Sequence, residues 1–125
     1  MTGHARNFFL TALVYGILGI ALGLHMAMSS DHGQMPTHAH MMVIGWLSFA
    51  VFAFFYHLVE DVAHGVLAAI HFWLAQVSFA GIMVGLWLYY GGNAEAEPIA
   101  AISSLAYGGS FVLFTFIAAR ALLKR

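Results

Sequence analysis

Four long apolar runs, separated by three short polar breaks, set the pattern of this chain. The runs are Phe8–Met28, Met41–Val59, Val66–Tyr90 and Ile99–Leu123, and none contains Asp, Glu, Lys or Arg apart from Arg120. Each is about as long as a helix that crosses a bilayer, ~20 residues. Backbone groups inside a bilayer must pair within the segment, so runs of this length are helices. The pattern predicts an all-α integral membrane four-helix transmembrane bundle, one domain over 1–125 with helices at about 7–29, 36–59, 63–91 and 98–123. The breaks agree. Ser29–Thr37 is a polar turn in which Pro36 suits the first turn of the second helix. Glu60–Gly65 is a tight turn, and Gly91–Pro98 carries Gly-Gly-Asn and two glutamates before a proline. Connections this short favour up-down-up-down topology.

Composition strengthens this reading. Only 7% of the 125 residues are charged and 62% are hydrophobic, against about 25% charged in a soluble domain. The basic residues Arg6, Arg120, Lys124 and Arg125 all lie near the chain ends. By the positive-inside tendency both termini are expected in the cytoplasm, as in a multi-pass protein of the cell inner (cytoplasmic) membrane. The first turn, 29–37, then faces outward. The first apolar run is too long for a signal-peptide core and is read as a helix. With no cysteine, thiolate metal sites, iron–sulfur clusters and disulfides are excluded. Gly19 and Gly23 on the first helix and Gly81 and Gly85 on the third have the small-xxx-small spacing that allows close helix approach.

The candidate chemistry lies in one stretch, "HMAMSSDHGQMPTHAHMM", residues 25–42, half of it His or Met. Intramembrane polar groups are expensive and invite a functional reading. His25 lies about four residues before the end of the first helix and His40 about four after Pro36, so both sit ~6 Å below the same boundary. His38 and His40, two apart, point to opposite faces of a helix. His40 is the better buried ligand and His38 the rim residue. His71 is deeper in the third helix, and a backbone carbonyl or Gln76 is its expected partner. His57, His64 and His71 recur at intervals of seven across the second turn.

Two cofactors fit. A copper ion suits soft and borderline donors, and the set His25, Met26, Met28, His32, Met35, His38 and His40 offers seven. A haem suits two histidines at equal depth in an apolar setting. Packed neighbouring helices are ~8–10 Å apart, too close for a porphyrin between them. Two histidines on adjacent helices of one chain therefore favour copper, and a bis-histidine haem favours a second protomer.

A resemblance bears on the choice. "PTHAHMMVIGWLSFAVFAFFYHL" resembles helix two of the catalytic subunit (subunit I) of haem–copper oxidases, especially the nitric oxide reductase and cbb3-type branches. "NFFLTALVYGILGIALGLHMA" is similar to helix one of the cbb3 type, and "HFWLAQVSFAGIMVGLWLYY" to helix three. The resemblance implies that His40, followed by Met41-Met42-Val43-Ile44-Gly45-Trp46, is an axial ligand of a low-spin haem b. It covers the first third of a twelve-helix subunit. The family's remaining haem and copper ligands lie on later helices, so this chain is not expected to be a complete oxidase or reductase alone. His25 has no counterpart there and is the candidate second ligand, from a neighbouring copy. The cofactor-binding set is then His40, His25, His38, Gly45 and Trp46, with His40 and His25 on the iron. His32, His38, Gln34 or Trp46 would meet the propionates. The expected partners are the lipid bilayer, further copies of the chain (a dimer or trimer) and a redox partner, not nucleic acid. Electron transfer or binding of a small gas follows for haem, copper handling for copper, and a structural or assembly role for a chain with neither.

Overall fold

A computed structural model describes residues 1–124; Arg125, one of the four basic residues counted above, lies outside it. Among the described residues there are helices and turns and no strand. Four helices are long and apolar enough to cross a membrane: α1 (Gly3–Ser29), α2 (Met35–Leu58), α3 (Val66–Tyr90) and α4 (Glu97–Leu123). A single turn of helix, Glu60–Ala63, joins α2 to α3, and a 3-10 turn, Ala94–Ala96, leads into α4. α1 starts earlier than the apolar run suggests, because the polar residues His4, Arg6 and Asn7 continue the helix beyond it.

Local signals set the ends. Pro36 occupies the first turn of α2, where its missing N–H costs nothing. Asn93 caps the 3-10 turn by accepting from the Glu95 N–H at 3.1 Å. Ser30 takes the left-handed conformation that ends α1, with φ at 57°.

The helices pair as α1 with α2 and α3 with α4. Small residues make both contacts possible. On α1, Gly23, Gly19 and Gly16 receive His38, Met42 and Trp46 of α2 in turn. On α3, Gly85 and Gly81 receive Ala100 and Ser103 of α4. At Gly85 a Cβ would stand 2.5 Å from the Ala100 backbone nitrogen, so the two backbones touch. The glycine pairs are used within the protomer.

α2 contains a π-helical run, Met41–Leu47, which no sequence pattern had announced. In an unbroken α-helix, residues four apart drift by ~40° per step. The wider π-turn absorbs that drift. Thr37, Gly45 and Phe49 are therefore all buried at multiples of four, with Met41 half-buried between them. The same register keeps His38, Met42 and Trp46 against α1.

The core is aromatic. Phe8, Phe49, Phe52, Tyr56 and Phe79 are fully or almost fully buried where the helices meet. Phe8 alone stacks or edges against Phe49, Phe52, Tyr56, His71 and Phe72 at 4.9–5.9 Å between ring centroids. The outer surface stays apolar, with Leu58, Val77 and Leu105 exposed by 76%, 68% and 79%. Such a surface faces lipid, and the protein is a multi-pass membrane protein.

Candidate functional site

The histidine-rich end is built from the start of α2. Gln34 fastens it: its Nε2 donates to the Trp87 carbonyl at 3.1 Å, and its Oε1 accepts from the Thr37 hydroxyl at 2.6 Å. Both ends of the Gln34 amide are thus spent, one on joining the start of α2 to α3 and the other on the first turn of α2 itself. Of the residues expected near a propionate, Gln34 is committed to the fold.

His38 and His40 do face different ways, as their spacing predicts. The Nδ1 of His38 lies 2.8 Å from the Gly19 carbonyl. A carbonyl only accepts, so Nδ1 carries the proton. The ring is half-buried against Gly23. The rim position expected for His38 is corrected here: it is wedged between α1 and α2, because the glycines of α1 leave room for a ring.

The burial expected for His40 is corrected too: it is exposed on the outer face of α2, because packing turns Thr37 and His38 inward instead. Its Nδ1 lies 2.7 Å from the Pro36 carbonyl one turn back. A carbonyl has two lone pairs, so Pro36 can accept from the ring beside any backbone bond. The bond fixes the tautomer: Nδ1–H donates, and Nε2 keeps its lone pair. His40 lines a shallow recess of ≈ 240 Å³ with Ala39, Val43 and Ile44, three apolar neighbours.

His25 lies elsewhere. It is exposed and lines a separate recess of ≈ 330 Å³ with Met26, Asp31, Gly33, Gln34, Trp87, Tyr90 and Gly91. His25 and His40 share no recess within one protomer. The other soft donors also separate. Met26 is buried, Met28 is 85% exposed, Met35 is half-exposed, and His32 stands exposed in the turn. Among the described residues, no three His, Cys, Asp or Glu side chains gather closely enough to hold a metal ion.

Gly45 and Trp46 serve packing. A Cβ on Gly45 would stand 2.6 Å from Phe79 Cζ and 3.3 Å from the Tyr15 Cβ. Trp46 lies over Gly16, and it sits ~9 Å farther along the helix than His40, away from the histidine-rich end.

Deeper in the bundle, the expected partner of His71 is corrected. His71 pairs with neither a backbone carbonyl nor Gln76. Its Nδ1 and the Tyr56 hydroxyl share a hydrogen bond of 3.0 Å, and its Nε2 is buried without a partner. Gln76 instead bridges α1 and α3. It accepts from the Tyr15 hydroxyl, and its Nε2 donates to Thr11 Oγ1 at 2.9 Å. His57 and His64 stay exposed while His71 is buried, so the interval of seven does not bring the three together. Sequence reasoning passed over Tyr56, Tyr107 and Tyr15, each of which places a hydroxyl on a polar atom of another helix. Depth along the helices could have found two of them. Tyr15 and Gln76 lie equally far from the helix ends Ser29 and Tyr90, and Tyr107 and Ile44 almost equally far from the helix starts Glu97 and Met35.

Comparison with known proteins adds one finding. The chain is similar to "Cytochrome c oxidase polypeptide 1" of Halobacterium salinarum. The two are 30% identical over 133 aligned positions, which take in 91% of this chain and 22% of that protein. The chain therefore spans about a fifth of its relative's length. The match supports a relationship to subunit I of the haem–copper oxidases at family level. No family model and no solved structure matches.

Proposed function

We propose that this chain is a haem b-binding protein of the cell inner membrane, with cytoplasmic termini, that works as a homo-oligomer. His40 is one axial ligand. His25 of a neighbouring copy is the other. One observation carries the reading: His40 is exposed on an apolar, membrane-facing surface with Nδ1–H held by the Pro36 carbonyl at 2.7 Å. A histidine at that place would be costly as a mere lipid contact. The backbone bond does what a metal-bound histidine needs: it fixes the ring and makes Nε2 a better donor. The oxidase similarity is a second support.

The residues present fit haem as donors and leave its enclosure to a second surface. The recess beside His40, at ≈ 240 Å³ and shallow, takes only an edge of a macrocycle. A second copy is the natural source of the missing wall and of His25. Bound haem supplies a one-electron couple, or an open coordination position where only one histidine reaches it. The chain's own work is to fix the His40 tautomer, to hold the start of α2 to α3 through Gln34 and Thr37, and to keep water from the apolar face. Two histidines give electron transfer, with a redox partner at the outer end; one gives a small-gas site.

The absorption spectrum of the purified protein tests this. A Soret band with sharp α and β bands on reduction is the expected result. A colourless, iron-free preparation overturns the proposal.

A further inference from the structure

The π-helical run of α2 begins at the residue after His40 and ends at Leu47. Such runs gather at functional sites, where they turn one part of a helix against the other. We propose that Tyr107 of α4 is a positioning residue: by holding the Ile44 carbonyl it keeps the π-turn in place and so sets the direction in which His40 presents Nε2. What His40 binds rests on the haem reading above; the geometry does not.

Tyr107 is 6% exposed, and its hydroxyl donates to the Ile44 carbonyl at 2.8 Å. Ile44 is one turn along from His40, and both line the same recess. Where a π-turn gives way to an α-helix, the two bonding ladders do not match, and carbonyls at the junction need other donors. The Val43 carbonyl takes both the N–H and the hydroxyl of Ser48, from α2 itself, the hydroxyl at 2.9 Å. The donor to Ile44 comes from another helix, so the register of α2 is tied to α4.

Removing that donor leaves an exposed choice. Without the Tyr107 hydroxyl the Ile44 carbonyl is left to backbone donors alone, which favours closing the π-turn to ordinary i→i+4 bonding. Closing the wider turn adds one residue's worth of α-helical rotation, ~100°, between the segment before it and the rest. His40 would turn away from its present face. His38, Met42 and Trp46 would leave the glycines of α1.

The test compares Tyr107→Phe, which keeps the ring and removes only the hydroxyl, with Ser110→Ala. Ser110 is equally buried on α4 and bonds only the Tyr107 carbonyl, at 2.8 Å. The first readout needs no haem: a nitroxide on His40→Cys in nanodiscs, probed by collision with dissolved oxygen. Tyr107→Phe is expected to change that accessibility at least about twofold, as a ~100° turn requires, and Ser110→Ala to leave it alone. The second readout is the haem-loaded protein, whose reduction potential and low-spin EPR signal should shift in Tyr107→Phe only. An unmoved nitroxide overturns the proposal, as does an equal change in both variants or a haem signal identical to wild type. A nitroxide that moves with Tyr107→Phe, while the wild-type chain takes up no haem, sinks the haem reading and upholds the positioning role.

Discussion

Tyr56 of α2 and His71 of α3 share a hydrogen bond of 3.0 Å across the helix interface, and both side chains are fully buried. Phe8, Phe52 and Phe114 surround the imidazole, with ring centroids 4.7–5.3 Å away. The pair is therefore a polar island in an aromatic core. Its loss should be asymmetric. Tyr56→Phe leaves both imidazole nitrogens unpaired and should destabilise the bundle by about 1–3 kcal/mol. Tyr56→Phe combined with His71→Phe removes both partners and should recover part of that cost, because an apolar pair of similar shape fits these surroundings. Reversible unfolding in mixed micelles measures both. A double variant less stable than Tyr56→Phe alone would show that the pair has a worth beyond its hydrogen bond.

The two glycine contacts should differ in tolerance. At Gly85 an added Cβ meets the Ala100 backbone at 2.5 and 2.8 Å, and backbone cannot step aside. At Gly19 the nearest atom is Met42 Sδ, also at 2.5 Å, but on an unbranched chain that can turn away. Gly85→Ala should cost about 1–3 kcal/mol and Gly19→Ala under about 1 kcal/mol. Thermal denaturation in one detergent ranks them, and a reversed order would mean that Met42 is held more rigidly than its chemistry suggests.

These contrasts show what the sequence could and could not reveal. The spans were legible because one long-range rule, backbone satisfaction in lipid, governs every residue in them. The Gly19/Gly23 and Gly81/Gly85 pairs were legible as contacts, since only a small residue lets two backbones meet. The opposed directions of His38 and His40 followed from helix geometry alone. The partner of His71 was not legible, because nothing local says which residue of another helix reaches it. The π-turn was hidden for a deeper reason. It arises from the combined demand that Thr37, Gly45 and Phe49 face the core while His38, Met42 and Trp46 face α1, and that demand exists only once the helices have packed.

Gln76 carries a polar chain that runs from α3 into α1. It accepts from Tyr15, donates to Thr11 at 2.9 Å, and the Thr11 hydroxyl donates in turn to the Asn7 carbonyl at 3.0 Å. Side-chain hydrogen bonds between membrane helices average about 0.6 kcal/mol and reach about 1.7 kcal/mol. A double-mutant cycle of Tyr15→Phe and Gln76→Leu should return a coupling energy in that range. A coupling indistinguishable from zero would mean that Tyr15 finds an equal partner when Gln76 is gone.

The ligand assignment predicts different fates for neighbouring histidines. His40→Ala should abolish haem retention. His38→Ala should keep the haem and weaken the α1–α2 contact, because the His38 Nδ1 bond to the Gly19 carbonyl at 2.8 Å belongs to helix packing. His25→Ala should convert six-coordinate iron to five-coordinate. The sharper question is whether His25 reaches the iron from another chain, and mixing answers it. His40→Ala chains still offer His25, and His25→Ala chains still offer His40. If the two ligands of each site come from different copies, random co-assembly in a closed ring restores about a quarter of the sites, whatever the number of copies. If both come from one chain, every chain in the mixture lacks a ligand, and no six-coordinate haem forms. The low-spin EPR signal of the co-expressed pair, set against each variant alone, separates these outcomes. Its absence from the mixture would remove the neighbouring copy from the site while leaving His40 to be judged by its own variant.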